Sequence, residues 1–363
     1  MAKIFRARAS SAYEAITEAQ RIAFAPVVFQ VVRALRDLGI LTTLDEAGSE
    51  GLSAASIAEM LALSEYGVGV LLESGLSAGV VELLDQEDRF ALSKIGHFLL
   101  HDRMTRVNMD FNHFVCYLGL YDLDKAVVDR RPAGLRAIDK GHSTFYEALP
   151  HLPERIRSAW YAFDHFYSDS AYPAALDIVL SQHPKTLLDV GANLGKFSLL
   201  AARTDEALKV TMMDLPDQLS AAVCHVEQSG YGERIDAVAA DLRDVDSPMP
   251  LFQDAYWLSQ FLCCFDAGEI TAILKRIVAA MSSRSRLYVL ETCWDRQQHE
   301  AAAFSLVNTS PYFTCIANGN SKMYTSKELL ACMEASGLRC DRVIDGLGAC
   351  HTLFECSKPV PAE

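Results

Sequence analysis

The sequence predicts an α/β fold: a doubly wound, mainly parallel sheet in the C-terminal half, preceded by a mainly helical winged-helix domain. Three observations carry this prediction. From Thr186 onward, short apolar stretches alternate with amphipathic helical stretches, the pattern of repeated βαβ units. The last two strand-like stretches, "RCDRVIDG" and "ACHTLFECS", are joined by a short glycine-containing turn and therefore pair antiparallel. Residues 22–104 read as helix, helix, helix and hairpin. A chain of 363 residues is also too long for one ordinary core, so two domains are expected.

The N-terminal elements follow in order. "VVFQVVRALRDLGI" has the apolar spacing of a packed helix, and "GLSAASIAEMLAL" continues with Ser53 as its N-cap. "SEYGVGVLLESGLSAG" is a further helix ending in glycine, and "VVELLDQEDRFALS" gives two alternating strands around a polar turn. A winged helix that reads DNA must bring Lys or Arg to phosphates and base edges. From Ser53 to Gly79 there is neither, and the net charge is −14. The expected role is packing or dimerisation, giving a homodimer with no nucleic acid partner.

The longest early apolar run, residues 22–32, is interrupted by Pro26 and Gln30 and stopped by Arg33, so no membrane span is expected. The first twenty residues carry charges throughout and lack the apolar centre of a signal peptide. A cytoplasmic chain follows. The 10 cysteines fit that compartment: none precedes Cys116, none has C-x-x-C spacing, and most sit in apolar segments. They read as reduced, buried thiols, with no metal site among them.

Residues 105–170 are helical and aromatic, as in "FNHFVCYLGLYDL" and "AWYAFDHFYSDS". These aromatics are expected to pack the joint between two domains and to line an apolar pocket there. The predicted division is 1–105 for the winged-helix dimerisation domain, 106–170 for the connector and 171–363 for the catalytic domain.

In the C-terminal domain "TLLDV" leads into a glycine-broken turn and a helix, and "KVTMMD" leads to a helix after Pro216. "IDAVAAD" precedes a polar loop. "AYWLS", "AGEITAILKRIVAAM" and "RLYVLET" follow, and Thr325 with Glu328 marks the capping box of the last helix. Ligands on such sheets bind at the carboxyl ends of the strands.

The turn in "LLDVGANLGKF" decides which ligand. The dinucleotide fingerprint G-x-G-x-x-G needs glycine where the backbone approaches a pyrophosphate. Here the glycines are Gly191 and Gly195, while Asn193 and Lys196 hold the other positions. A side chain at 193 disfavours NAD or FAD. Asp189 precedes the turn, Asp214 ends the next strand, and Asp241, followed by Leu242, ends the third. Three strand-end acids suit a cationic nucleoside: S-adenosylmethionine (SAM), with its ribose on Asp214, its adenine near Asp241 and Leu242, and its methionine part over the turn. The expected cofactor set is Asp189, Gly191, Asn193, Gly195, Asp214, Leu215, Asp241, Leu242, Ser259 and Gln260.

The segments "LLDVGANLGKF", "VTMMDLPDQL", "AADLRD" and "LYVLETCWD" resemble successive motifs of the class I SAM-dependent methyltransferases. "NGNSKMYTSKELL" is similar to a "G-x-x-R-T"-like segment before the last helix. The resemblance covers the chain from about residue 22. It is to the dimeric small-molecule methyltransferases, O-methyltransferase-like, that carry an N-terminal winged-helix domain. It implies a seven-stranded Rossmann-like methyltransferase sheet with the last strand reversed, an intertwined homodimer through the N-terminal domain, and an aromatic or phenolic acceptor in a pocket between domains.

One position departs from that family. Its O-methyltransferases carry a histidine base in "H-D-W" after strand four, where "SQFLCCFDAGEITAIL" places Cys263, Cys264 and Phe265. Nothing basic adjoins Cys263 in sequence to lower its thiol pKa. Other candidate bases are Glu291, at the end of strand five, His351, at the start of the reversed strand, and His165, in "FDHFYSD"; His113 is a further histidine of the connector. The missing histidine allows O-methylation with a relocated base or ring C-methylation, in which an ionised phenol supplies its own carbon nucleophile. The chain also resembles methyltransferases of aryl polyene-type pigment formation. The expected activity is SAM-dependent methyl transfer to a small aromatic acceptor. The alternatives are a catalytically silent SAM-binding dimeric scaffold and a ligand-sensing winged-helix regulator.

Overall fold

A capping box starts the first helix. Ser11 Oγ accepts from the Glu14 N–H and the Glu14 carboxylate accepts from the Ser11 N–H, and the helix Ala12–Asp37 follows. It passes through Pro26 without stopping. Its polar first turns, where the sequence reading placed no helix, are held by this box and by an Arg21–Glu18 pair one turn apart. The computed structural model describes residues 4–5, 11–84 and 88–359. The chain divides into two units, residues 2–110 and 111–363.

In the first unit, helices Ile40–Ala47, Ala54–Leu61 and Glu65–Ser77 follow. Ser53 Oγ caps Ala54–Leu61 by accepting from the Ser56 N–H. Three short strands, β1 (Leu52–Ser53), β2 (Val81–Leu84) and β3 (Arg89–Leu92), pair antiparallel in the order β1-β3-β2. The hairpin was legible, β1 was not, and the polar turn at 85–87 lies outside the described residues. Leu35, Ile40, Leu41, Leu44, Ile57 and Leu72 are fully buried and form the core. Helices Lys94–His101 and Arg103–Phe111 close the unit, so its boundary falls inside a helix, a few residues after the predicted one.

The second unit is built on seven strands. These are β4 (Thr186–Val190), β5 (Lys209–Asp214), β6 (Ile235–Ala239), β7 (Ala255–Ser259), β8 (Arg286–Glu291), β9 (Arg339–Leu347) and β10 (His351–Ser357). Their order is β6-β5-β4-β7-β8-β10-β9, with β4 to β8 parallel and β10 antiparallel to both neighbours. Helices cover both faces, so the central strands are apolar almost throughout. Leu188, Val190 and Leu258 join one core, and Leu187, Met212 and Trp257 the other. Trp257 stacks on Phe197 with centroids 3.9 Å apart.

Strand order reverses between β4 and β7: the chain runs β4, β5, β6 to one side and then β7, β8 to the other. A crevice opens at the carboxyl ends there, and ligands of doubly wound sheets bind in it. The helix Glu154–Asp169 supplies an aromatic stripe to the same unit. No helix among the described residues is long and apolar enough to cross a membrane.

Candidate functional site

A cavity of about 260 Å³ lies along this rim, and every residue lining it belongs to the second unit. Its floor is the turn after β4. Gly191, Asn193 and Gly195 all take left-handed conformations, with φ of 74°, 52° and 70°. At Gly191 a Cβ would meet the Phe261 ring at 2.4 Å, so glycine is required by both space and backbone. The Gly191 N–H donates to the Met213 carbonyl at 2.8 Å, which ties the turn to β5.

Asp214, at the end of β5, is anchored by the backbone. Its carboxylate accepts from the backbone N–H groups of Asn193 and Leu215, each at 2.8 Å. Burial nevertheless outweighs these two bonds and pushes its pKa up to about 6. Asp241, beyond β6, is less enclosed. Burial pushes its pKa up, but the Arg243 guanidinium, 2.8 Å away, holds it below the usual carboxylate range. Leu215, Leu242, Ser259 and Gln260 also line the cavity.

Two members of the expected cofactor set are placed elsewhere. Asp189 is buried behind the turn and accepts from Ser198 Oγ at 2.6 Å; burial raises it to about 7. It braces the turn against the following helix Lys196–Thr204. Gly195 lies under the turn, where a Cβ would meet Met212 Sδ at 2.7 Å, so it serves close packing on β5.

The candidate bases separate in the same way. Cys263 lines the cavity. Its thiol lies beside Cys264 and is buried near Glu291, all of which push its pKa well above the ordinary value, and it donates to the Gln260 carbonyl at 3.4 Å. It is therefore a neutral thiol at neutral pH. Glu291, His351 and His165 are not among the lining residues. Glu291 is buried and accepts from the Leu262 N–H at 2.7 Å, holding the 262–264 turn from beneath; burial lifts it to about 7. His351 is fully buried behind Gln260, with Nε2 2.7 Å from Gln260 Oε1, and burial lowers its pKa to about 3. His165 turns away, parallel to the Tyr161 ring and 3.3 Å from the Asp169 carboxylate. His113 packs edge-on to Phe114.

The sequence reading missed Asp164. It is half-buried at the cavity wall, and its loss of solvent there raises its pKa. It accepts from Asn193 Nδ2 at 2.8 Å and from Gln260 Nε2 at 3.0 Å, joining helix Glu154–Asp169 to both sides of the crevice. Trp160, Phe163, Asp164, Tyr167 and Ser168 all line the cavity, at spacings i, i+3, i+4, i+7 and i+8. That spacing is one face of a helix and was the available signal.

On the β7–β8 side the wall is aromatic and sulfur-rich. Tyr146, Trp160, Tyr312 and Phe313 stand with Cys263 and Cys264. Trp160 Nε1 donates to the Tyr312 hydroxyl at 3.0 Å, and Asn318 Nδ2 donates to the Cys264 carbonyl. No histidine lines the cavity among the described residues.

Comparison with known proteins adds the family. Residues 17–90 match a Dimerisation2-like domain and residues 174–338 an O-methyltransferase domain. The Mitomycin biosynthesis 6-O-methyltransferase of Streptomyces lavendulae is 24% identical over 311 residues, covering 84% of each chain. The apo structure of the SAM-dependent methyltransferase SibL superposes with a TM-score of 0.71 at 21% identity, covering 95% of this chain and 100% of that one. The O-methyltransferase NcsB1 from neocarzinostatin biosynthesis, in complex with SAM and 2-hydroxy-5-methyl naphthoic acid, gives 0.65 at 20% identity, covering 92% and 96%. With the switch-point crevice and the reversed β10, these matches make the chain a member of the SAM-dependent methyltransferases that join a Dimerisation2-like domain to an O-methyltransferase domain.

Proposed function

We propose that this chain transfers the SAM methyl group to a small aromatic, phenolic acceptor, on oxygen or on a ring carbon. The observation that carries the reading is the division of one cavity: acids at the ends of β5 and β6, and an aromatic, thiol-lined wall beside β7 and β8. The residues fit the cofactor. Asp214 suits the two ribose hydroxyls, Asp241 and Leu242 the adenine, and Gly191, Asn193, Ser259 and Gln260 the methionine part. Three carboxylates, Asp164, Asp214 and Asp241, suit a cationic ligand. When bound, SAM supplies an already activated methyl group, so the hard chemistry is the cofactor's.

The remaining work falls to the chain. Tyr146, Trp160 and Tyr312 give a flat acceptor an apolar surface that excludes water and fixes its orientation, which lowers a transfer barrier by several kcal/mol. Cys263, as a neutral thiol, packs the acceptor and takes no proton. A relative that holds a hydroxynaphthoic acid and another named for mitomycin biosynthesis support an aromatic acceptor of secondary metabolism.

A homodimer through the first unit belongs to the same proposal. Ile16, Ile22, Phe24 and Val27 on the helix Ala12–Asp37 are each more than half exposed in the single chain, and the match to a dimerisation domain covers the last three. The deciding experiment incubates the chain with methyl-labelled SAM and a panel of phenols and reads products by mass spectrometry. A methylated phenol supports the reading. SAM binding without turnover of any panel member would favour the silent scaffold.

A further inference from the structure

Away from the cavity, one side-chain cluster of the first unit is arranged like a coordination shell. His97 and His101 stand one turn apart on the helix Lys94–His101, so both imidazoles leave the same face. Their ring centroids are 4.5 Å apart. Opposite them Asp45, on the helix Ile40–Ala47, presents one carboxylate oxygen 2.8 Å from His101 Nε2 and the other 3.7 Å from His97 Nδ1. One ligand atom from each of the three lies within 4.8 Å of the others.

The frame behind these side chains is rigid while the side chains are free to adjust. Leu41 and Leu44, next to Asp45, are fully buried. Gly96, next to His97, sits so close to the β2 entry that a Cβ would meet the Val80 carbonyl at 2.3 Å, and Ser93 Oγ caps the helix by accepting from the Gly96 N–H. The imidazoles and the carboxylate are all at least one-third exposed, which leaves room for a change of rotamer. Nitrogen and oxygen ligands about 2.0–2.2 Å from a tetrahedral ion lie about 3.4 Å from one another. Closing the present arrangement to that spacing asks about an ångström of side-chain movement. Two imidazoles and one carboxylate supply the ligand types that zinc and its first-row neighbours take.

We propose that Asp45, His97 and His101 bind one divalent first-row transition-metal ion, with water completing its shell. Binding needs both imidazoles unprotonated at the ligating nitrogen, so it replaces the His101–Asp45 hydrogen bond and releases any proton held there. The ion cross-links the helices Ile40–Ala47 and Lys94–His101. The site shares no residue with the cavity, so it stands whether or not the proposed acceptor is right.

The test uses the full chain, stripped with a chelator, and titrates zinc chloride calorimetrically and cobalt(II) by absorption. Cobalt separates this site from the cysteines, because nitrogen and oxygen ligation lacks the thiolate-to-metal charge-transfer band. The expected result is one ion per chain at micromolar affinity with only weak ligand-field bands. His97→Ala with His101→Ala should weaken binding at least ~100-fold and Asp45→Asn about tenfold. Zinc should raise the melting temperature of the wild type and not of the double variant. His101→Gln alone serves as a second variant should the double one not fold. No uptake of zinc below about 1 mM would overturn the proposal. So would unchanged affinity in the variants, or a thiolate band accounting for all bound cobalt.

Discussion

Asp214→Asn removes one negative charge from the cavity while keeping the shape of the side chain. In the wild type two backbone N–H groups converge on this carboxylate. An asparagine offers one oxygen to them and sets its NH₂ against the other, which leaves a buried donor unmet at about 1–3 kcal/mol. The hydrogen bond from a ribose hydroxyl to a charged acceptor is lost as well, at about 1.5–3 kcal/mol. The first cost falls on the free protein and the second on binding, so SAM should bind about 10- to 100-fold more weakly at neutral pH. The raised pKa adds a second signature. With the free-enzyme value near 6, about one molecule in eleven is ionised one unit below it, so wild-type affinity should fall about tenfold between pH 8 and pH 5. The sign follows from the ligand: a donor-rich, cationic cofactor prefers the ionised acid, so affinity is full above the pKa and is lost as pH falls through it. Isothermal calorimetry across that range measures both effects. A wild-type affinity that does not change with pH, or an asparagine variant as tight as the wild type, would remove Asp214 from the ribose.

Cys263→Ser should keep turnover within about threefold, because a neutral thiol that only packs the acceptor is well replaced by a hydroxyl; a loss of 10²-fold or more in kcat would make the cysteine a catalyst. Glu291→Gln retains the acceptor for the Leu262 N–H and should likewise keep most activity, whereas a true base would cost about 10²–10⁴-fold in a phenol panel. Gly191→Ala forces a methyl group against Phe261 in a left-handed backbone; urea unfolding should show a loss of about 1–3 kcal/mol, and SAM binding should weaken with it. Ile22→Asp with Phe24→Asp should turn a dimer into a monomer in sedimentation velocity, and a persisting dimer would place the interface elsewhere.

Strand positions were legible because each central strand is a short apolar run closed by a polar residue or a glycine. "KVTMMD" and "AYWLS" are strands to the residue. Capping chemistry was legible too, at Ser53 and at Thr325 with Glu328. Side-chain direction was not. His165 drew attention as the titratable group of "FDHF", yet a helix turns about 100° per residue, and it is the preceding Asp164 that enters the cavity. Glu291 and His351 were placed correctly at the strand rim, but a strand end points to one face or the other, and here both side chains point beneath the rim. The start of the first helix at Ala12 escaped notice because its apolar residues, Tyr13 and Ile16, are exposed in the single chain and leave little core periodicity.

Asp164 fixes the polarity of a longer relay. As a carboxylate it can only accept, so the amide nitrogens of Gln260 and Asn193 both turn toward it, and their carbonyl oxygens are left facing outward. Outward of Gln260 the oxygen meets His351 Nε2, which must therefore carry the proton; outward of Asn193 it meets the Gln218 amide, which also donates to the Tyr161 hydroxyl. One acid thus dictates the orientation of three amides and the tautomer of a histidine that never touches it. Asparagine at 164 would bring an NH₂ against an NH₂ on one side, and relieving that clash means reversing every group outward of it. Neutral replacement of this acid therefore yields two competing hydrogen-bond patterns where the native chain has a single one.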